Sequence, residues 1–291
     1  MNAWAACRTL APSGAERIAE LAERSLVLEI RTYPKPGLVS HVDTGSHADM
    51  DAATFARSAA VLRPYFAELA EAGARDADMG ALRKIGLRAE HAMLAATGGV
   101  NTHRGAIFGL GLLCAAAGRR ATADAAGAAA RTMTLGAFVA RRWGAEILGG
   151  PRLPDSHGER ASRRYGVGGA RGEAAGGFAT VYRVGLPALR RAARWMPGDA
   201  EAARVEACFA LIAALDDTNL LHRGGRDGLD FARASARAFV ARGGIRARDW
   251  RLRAAAAHRA FVARRLSPGG AADLLAMSVF VDALDADEAQ R

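Results

Sequence analysis

Lysine is nearly absent from this 291-residue chain: Lys35 and Lys84 are the only two, and the other 38 basic residues are arginine. Cysteine is scarce too. Cys7, Cys114 and Cys208 are odd in number and lack CxxC spacing, which excludes a disulfide framework and a zinc-knuckle pattern and leads us to expect a reduced, cytoplasmic protein. No apolar run is long enough to span a bilayer as a helix, the longest uncharged one being Gly105–Gly118. Met1 to Pro12 has no basic stretch followed by a long apolar one, so no signal peptide is expected. Runs of alternating β-branched residues are missing, and so is a GxxxxGK[ST] phosphate loop. The net charge is +10, yet no block of five basic residues exists, so the surplus does not by itself mark a nucleic-acid surface.

What is abundant is alanine, at 70 positions, with a hydrophobic fraction of 51%. That composition supports a full core and favours helix over strand. Apolar residues recur at helical spacing in Ile18–Leu28, Phe55–Leu69 and Val205–Leu215, the last opened by Asp199 as N-cap and the first preceded by a Ser13/Glu16 capping box. Further helices are predicted near 77–96, 103–117, 122–144, 178–195, 228–242, 249–264 and 269–285. The expected fold is therefore all-α: one globular domain over 1–291, of about ten helices, with functional loops at helix ends and peripheral termini. Residues 149–177 read as a long irregular segment.

Residues capable of chemistry gather beside the glycines, in five clusters. Glu29 precedes Tyr33-Pro34-Lys35-Pro36-Gly37, a stiff loop suited to offering an ammonium to phosphate, or else an ordinary proline turn. His47, Asp49 and Asp51 crowd an imidazole and two carboxylates before a helix, as acid, base, Mg²⁺ ligand or plain N-cap. Gly98-Gly99-Val100-Asn101-Thr102-His103-Arg104 sets polar side chains on a first helical turn, where free amides favour an anion. Arg171 and Glu173 close the irregular segment, paired with each other or touching a ligand. Asp216-Asp217 lies at the end of an apolar helix, where the dipole disfavours negative charge and a cation is invited; His222-Arg223 and a Gly-Gly stop follow. His91, His157 and His258 look isolated, and Ser267-Pro268-Gly269 with Asp273 reads as a capped helix start.

In this order, from Glu29 to about Ala276, the motifs resemble the triphosphoribosyl-dephospho-CoA synthases. The form Pro34-Lys35-Pro36-Gly37-Leu38-Val39-Ser40 looks more like the branch serving malonate decarboxylase than the citrate lyase branch, which more often has Asp at the place of Ser40. The resemblance implies an all-α enzyme. It would join ATP to 3′-dephospho-CoA through attack of a ribose 2′-hydroxyl on C1′ of ATP, with release of adenine and Mg²⁺ as cofactor. The product would pass to a phosphoribosyl-dephospho-CoA transferase acting on an acyl carrier subunit. No membrane or nucleic-acid partner is implied.

Breaking a C1′–N bond develops positive charge that wants a carboxylate, a base for the entering hydroxyl and a proton for adenine. We therefore expect Glu29, Asp216 and Asp217 to organise Mg²⁺. Lys35, Gly37, Asn101, His103, Arg104, Arg171 and Arg223 are expected to bind substrate. Asp49, Asp51 or Glu173 would be base or cation stabiliser, and His47 or His222 the proton donor. An adenine-releasing nucleotide glycohydrolase and a basic helical nucleic-acid-binding protein are the competing readings.

Overall fold

The computed structural model describes residues 14–122, 133–151 and 156–290. Among these, twelve α-helices and no strand occur, as the helical periodicity predicts. They are α1 (Gly14–Ile30), α2 (Ala52–Ala74), α3 (Met79–Ala96), α4 (Arg104–Thr122), α5 (Leu135–Gly149), α6 (His157–Tyr165), α7 (Gly169–Ala175), α8 (Leu186–Trp195), α9 (Ala200–Ala214), α10 (Thr218–Ala241), α11 (Trp250–Ala263) and α12 (Gly269–Ala289). A π-turn, Val181–Gly185, leads into α8. The expected capping serine Ser13, Cys7 and part of the helix expected at 122–144 lie outside the described residues.

One continuous apolar core holds these helices. α2 runs through it, packed on α1, α3 and α4. Its contact with α4 is unusually close because glycine notches face each way. A Cβ on Gly73 would lie 1.9 Å from the Ala115 carbonyl oxygen, and one on Gly118 would lie 1.9 Å from that of Ala70. Small residues on both helices thus let the backbones touch, which is where the alanine-rich composition is used. α12 is buried through its middle, residues 274–281, and crosses α1, α4 and α9. Cys114 and Cys208 are free and fully buried in this core, so they serve as small apolar groups. No helix among the described residues is long and apolar enough to cross a membrane.

The segment expected to be irregular, 149–177, instead contains α6 and α7. α6 is very polar, buries only Ala161 and so carries no apolar stripe for periodicity to detect. It is defined by its ends: Ser156 accepts from the Glu159 amide at 3.2 Å, and Gly166 ends the helix in the left-handed region. α10 also begins ten residues before the predicted start at 228, because Asp217 caps it and the Gly-Gly pair bends the helix rather than stopping it.

Candidate active site

The end of α1, the loop 31–51, the start of α4 and the facing starts of α10 and α12 enclose a cavity of about 320 Å³. Eight of the residues singled out from sequence line it: Glu29, His47, Asp49, Asn101, His103, Arg104, His222 and Arg223. Residues more than 190 positions apart are joined here because the loop 31–51 is clamped to the α11–α12 junction. Gly37 has φ +67°, and a Cβ on it would lie 2.0 Å from the Leu266 carbonyl oxygen. Only glycine fits that approach. The Ser46 hydroxyl donates to the same carbonyl at 2.7 Å, and His258 Nδ1 lies 2.6 Å from the Lys35 carbonyl oxygen.

The Lys35 ammonium points inward, fully buried, and donates to Glu29 Oε1. It does not line the cavity; the stiff loop therefore supplies a counter-charge beneath Glu29 rather than an exposed cation. Burial raises the Glu29 carboxyl, and Lys35 opposes that shift. His103 is buried beside it. Thr102 donates to Ser58 Oγ at 2.8 Å, which leaves the Ser58 hydroxyl to donate to His103 Nδ1 at 2.6 Å. That assignment puts the ring hydrogen on Nε2, a buried atom with no partner. Burial, reinforced by Lys35, pushes the imidazole down to about 3, so His103 is a neutral N–H donor and not a cation.

Across the cavity Arg223 donates to the Ser46 and Arg265 carbonyls, both at 3.1 Å, and its other terminal nitrogen lies 3.2 Å from His47 Nδ1. His47 Nε2 is 2.9 Å from Ser267 Oγ. Burial, then Arg223, lowers the His47 imidazole, and Asp49 at 3.6 Å opposes them. His222 stacks on His157, ring centroids 3.9 Å apart. The imidazole of His222 is lowered by burial and then by His157, Arg160 and Arg223. Arg104 pairs with Glu90 at 2.9 Å, and Asn101 Oδ1 accepts from the Arg104 amide at 3.2 Å.

Asp273 is the residue that sequence reasoning missed as a site residue. It lines the cavity from the first turns of α12. Burial raises its carboxyl well above the usual range, and the charges of Asp217 and Glu29 raise it further. A lone Asp one turn into a helix reads as dipole compensation, so no local signal separates it from a capping residue. His157 was likewise read as isolated, and only the stacking on His222 reveals it.

Seven expected site residues lie elsewhere. Besides Lys35 and Gly37, Asp51 is the N-cap of α2, accepting from the Thr54 amide at 2.8 Å and its hydroxyl at 2.7 Å. Glu173 accepts from the Thr180 amide at 2.6 Å and hydroxyl at 2.9 Å, pinning the π-turn. Arg171 closes the C-terminal end of α5, donating to the Leu148 and Gly150 carbonyls at 3.0 Å and to that of Pro151 at 2.8 Å. Asp216 is exposed and pairs with Arg233 at 2.9 Å. Asp217 is buried between two helix starts, accepting from the Asn219 amide at 2.8 Å and, across the junction, from Ala271 at 3.0 Å. The Asp-Asp pair therefore begins α10 rather than ending α9. Burial raises the Asp217 carboxyl, and the amides of the two helix N-termini oppose that shift. Among the described residues no group of three His, Cys, Asp or Glu side chains is arranged to hold a metal ion, so Glu29, Asp216 and Asp217 do not form the metal set expected of them.

An all-α enzyme with acids, imidazoles and arginines around one cavity suits group transfer between anionic substrates. The family model of the ATP:dephospho-CoA triphosphoribosyl transferases (CitG) matches residues 15–291. The chain belongs to this family and is a transferase. It is 43% identical to a Stutzerimonas stutzeri protein named probable 2-(5″-triphosphoribosyl)-3′-dephosphocoenzyme-A synthase, over 94% of this chain and 93% of that one. A Pseudomonas aeruginosa protein of the same name is 44% identical over 98% and 97% of the two chains. The Klebsiella pneumoniae 2-(5″-triphosphoribosyl)-3′-dephosphocoenzyme-A synthase is 41% identical over 96% and 94%. No solved structure matches.

Proposed function

We propose that this enzyme joins ATP and 3′-dephospho-CoA to give 2′-(5″-triphosphoribosyl)-3′-dephospho-CoA and adenine. The observation that carries this reading is the cavity itself. It sets Asp273, Glu29 and Asp49 beside Arg104, Arg223 and four imidazoles, the groups that a glycosyl transfer from a nucleoside triphosphate requires.

In this scheme the 2′-hydroxyl of the dephospho-CoA ribose gives its proton to Asp273 as its oxygen bonds to C1′ of ATP. The C1′–N9 bond breaks, and its electron pair leaves with adenine. His47 or His222 would protonate the departing base. A carboxyl raised by its surroundings holds a transferred proton better than an ordinary one, and in its ionised form it favours the positive charge at C1′. Glu29, already neutralised by Lys35, contributes less charge and positions the site. His103, with its free buried N–H, donates to a substrate oxygen without carrying charge.

Asp49 presents hard oxygen donors to the cavity and fits a Mg²⁺ of the kind held by one carboxylate together with substrate phosphates. Such an ion would neutralise triphosphate charge. The product would serve as precursor of the prosthetic group of a malonate decarboxylase acyl carrier subunit, through a phosphoribosyl-dephospho-CoA transferase, in the cytoplasm.

The test is to incubate enzyme, ATP, Mg²⁺ and dephospho-CoA, omit each in turn and follow adenine by chromatography. Adenine formation that depends on dephospho-CoA is expected. Adenine formed equally well without dephospho-CoA would make the enzyme a glycohydrolase, and none under any condition would refute both readings.

A further inference from the structure

Beside the cavity is a second pocket of about 460 Å³, walled by α6 and the kinked start of α10. Arg160, Arg164, Tyr165, His222 and Gly225 line it, and among the described residues no carboxylate does. Arg160 and Arg164 are four residues apart, so they project from one face of α6. Like charges at that spacing destabilise a helix, and among the described residues neither guanidinium forms an ion pair with a carboxylate. Arg164 and Arg226 both lie against the Tyr165 ring, at 5.3 and 5.6 Å from its centroid.

The pocket exists because α10 bends. Gly225 takes φ +63° and ψ −158°, a conformation that essentially only glycine adopts. The helix is thereby opened next to Tyr165, whose hydroxyl would be 3.4 Å from a Cβ at that position.

His222 lines both spaces, and its stacking partner His157 lines the first. The two pockets are therefore neighbours across an imidazole pair. Carboxylates face the first, together with Arg104 and Arg223, whereas the second is lined by guanidiniums and, among the described residues, by no carboxylate. The first, at about 320 Å³, is at the low end of the range for one drug-sized ligand, roughly 300–1,000 Å³. The reaction brings two nucleotide-sized substrates together, so their charged chains must extend beyond it.

We propose that the Arg160–Arg164 pocket is a polyphosphate subsite, holding the phosphate chain of one substrate while its reacting ribose lies in the carboxylate cavity. The proposal rests on the transferase reading above. Two sources share this chemistry, the triphosphate of ATP and the pyrophosphate of dephospho-CoA, and kinetics separates them.

The experiment compares wild type with Arg160→Gln/Arg164→Gln, Arg160→Lys/Arg164→Lys and, as a charge control on the exposed face of α10, Arg237→Gln. Each substrate is varied at saturation of the other, and binding of inorganic tripolyphosphate to the substrate-free enzyme is measured by calorimetry. In the Gln pair the KM of one substrate is expected to rise at least tenfold, with kcat changed less than threefold, and tripolyphosphate to bind at least tenfold more weakly. The Lys pair should recover most of both, and Arg237→Gln should match wild type. A rise confined to ATP assigns the triphosphate; one confined to dephospho-CoA assigns the pyrophosphate. Both KM values and the tripolyphosphate Kd staying within twofold of wild type in the Gln pair would overturn the proposal, as would a loss of kcat alone. Absence of wild-type turnover would refute the transferase reading instead, and the calorimetry would still decide whether polyphosphate binds here.

Discussion

Replacing Lys35 by Met removes one partner of an ion pair that is buried on both sides, with Lys35 wholly inaccessible and Glu29 nearly so. Breaking such a pair leaves an uncompensated charge in the core and costs about 3–5 kcal/mol, whereas replacing both partners by apolar groups is often neutral. Each kcal/mol lowers the melting temperature by roughly 2–4 °C for chains of 150–250 residues, so Lys35→Met should melt on the order of 10 °C below wild type. The variant has an escape: Glu29 can take up a proton. Its carboxyl is already raised by burial, and without Lys35 nothing opposes that shift. A group raised in the folded state contributes stability below its unfolded pKa and loses it as pH rises through its folded one. The deficit of Lys35→Met should therefore shrink as pH falls from 8 to 5. The double variant Glu29→Leu/Lys35→Met should regain most of the stability at every pH while remaining impaired in turnover, since Glu29 lines the cavity. Thermal and denaturant unfolding of the three proteins across that range measures this directly. A Lys35→Met enzyme that melts with wild type and shows only a raised KM for ATP would refute the reasoning and return Lys35 to the role of phosphate ligand.

Three other outcomes are expected. Asp273→Asn should reduce turnover by at least about 10²-fold, the span usual for losing a general base, yet stabilise the fold at neutral pH. The wild-type carboxyl is raised by burial and by two neighbouring acids, so wild-type stability falls as pH rises through its folded pKa, and melting curves of the Asn variant should lack that slope. Asp217→Ala uncaps α10 and unlinks it from α12, at about 1–2 kcal/mol for the cap alone. Asp216→Ala loses an exposed pair worth under about 1 kcal/mol, so denaturant midpoints should separate two neighbours that look alike in sequence. Gly37→Ala places a methyl where the Leu266 carbonyl already sits, 2.0 Å away, and should lower both stability and turnover, with circular dichroism melts and adenine release as the readouts.

Much of this molecule is readable from its sequence because helices are local objects. Apolar spacing specifies α1, α2, α3, α4, α9, α11 and α12, and Asp51 and Asp199 cap the helices they precede. The motif order specifies the family. Tertiary structure decided which polar residues share a cavity and which merely terminate a helix. Asp217 and Asp273 are both acids near helix starts, but one is saturated by backbone N–H groups from two helices while the other faces the cavity. Lys35, one of only two lysines in the chain, is turned inward by a loop clamped to residues 220 or more positions away. Burial and long-range pairing set the charge and direction of a side chain, and neither is encoded in the spacing of its immediate neighbours.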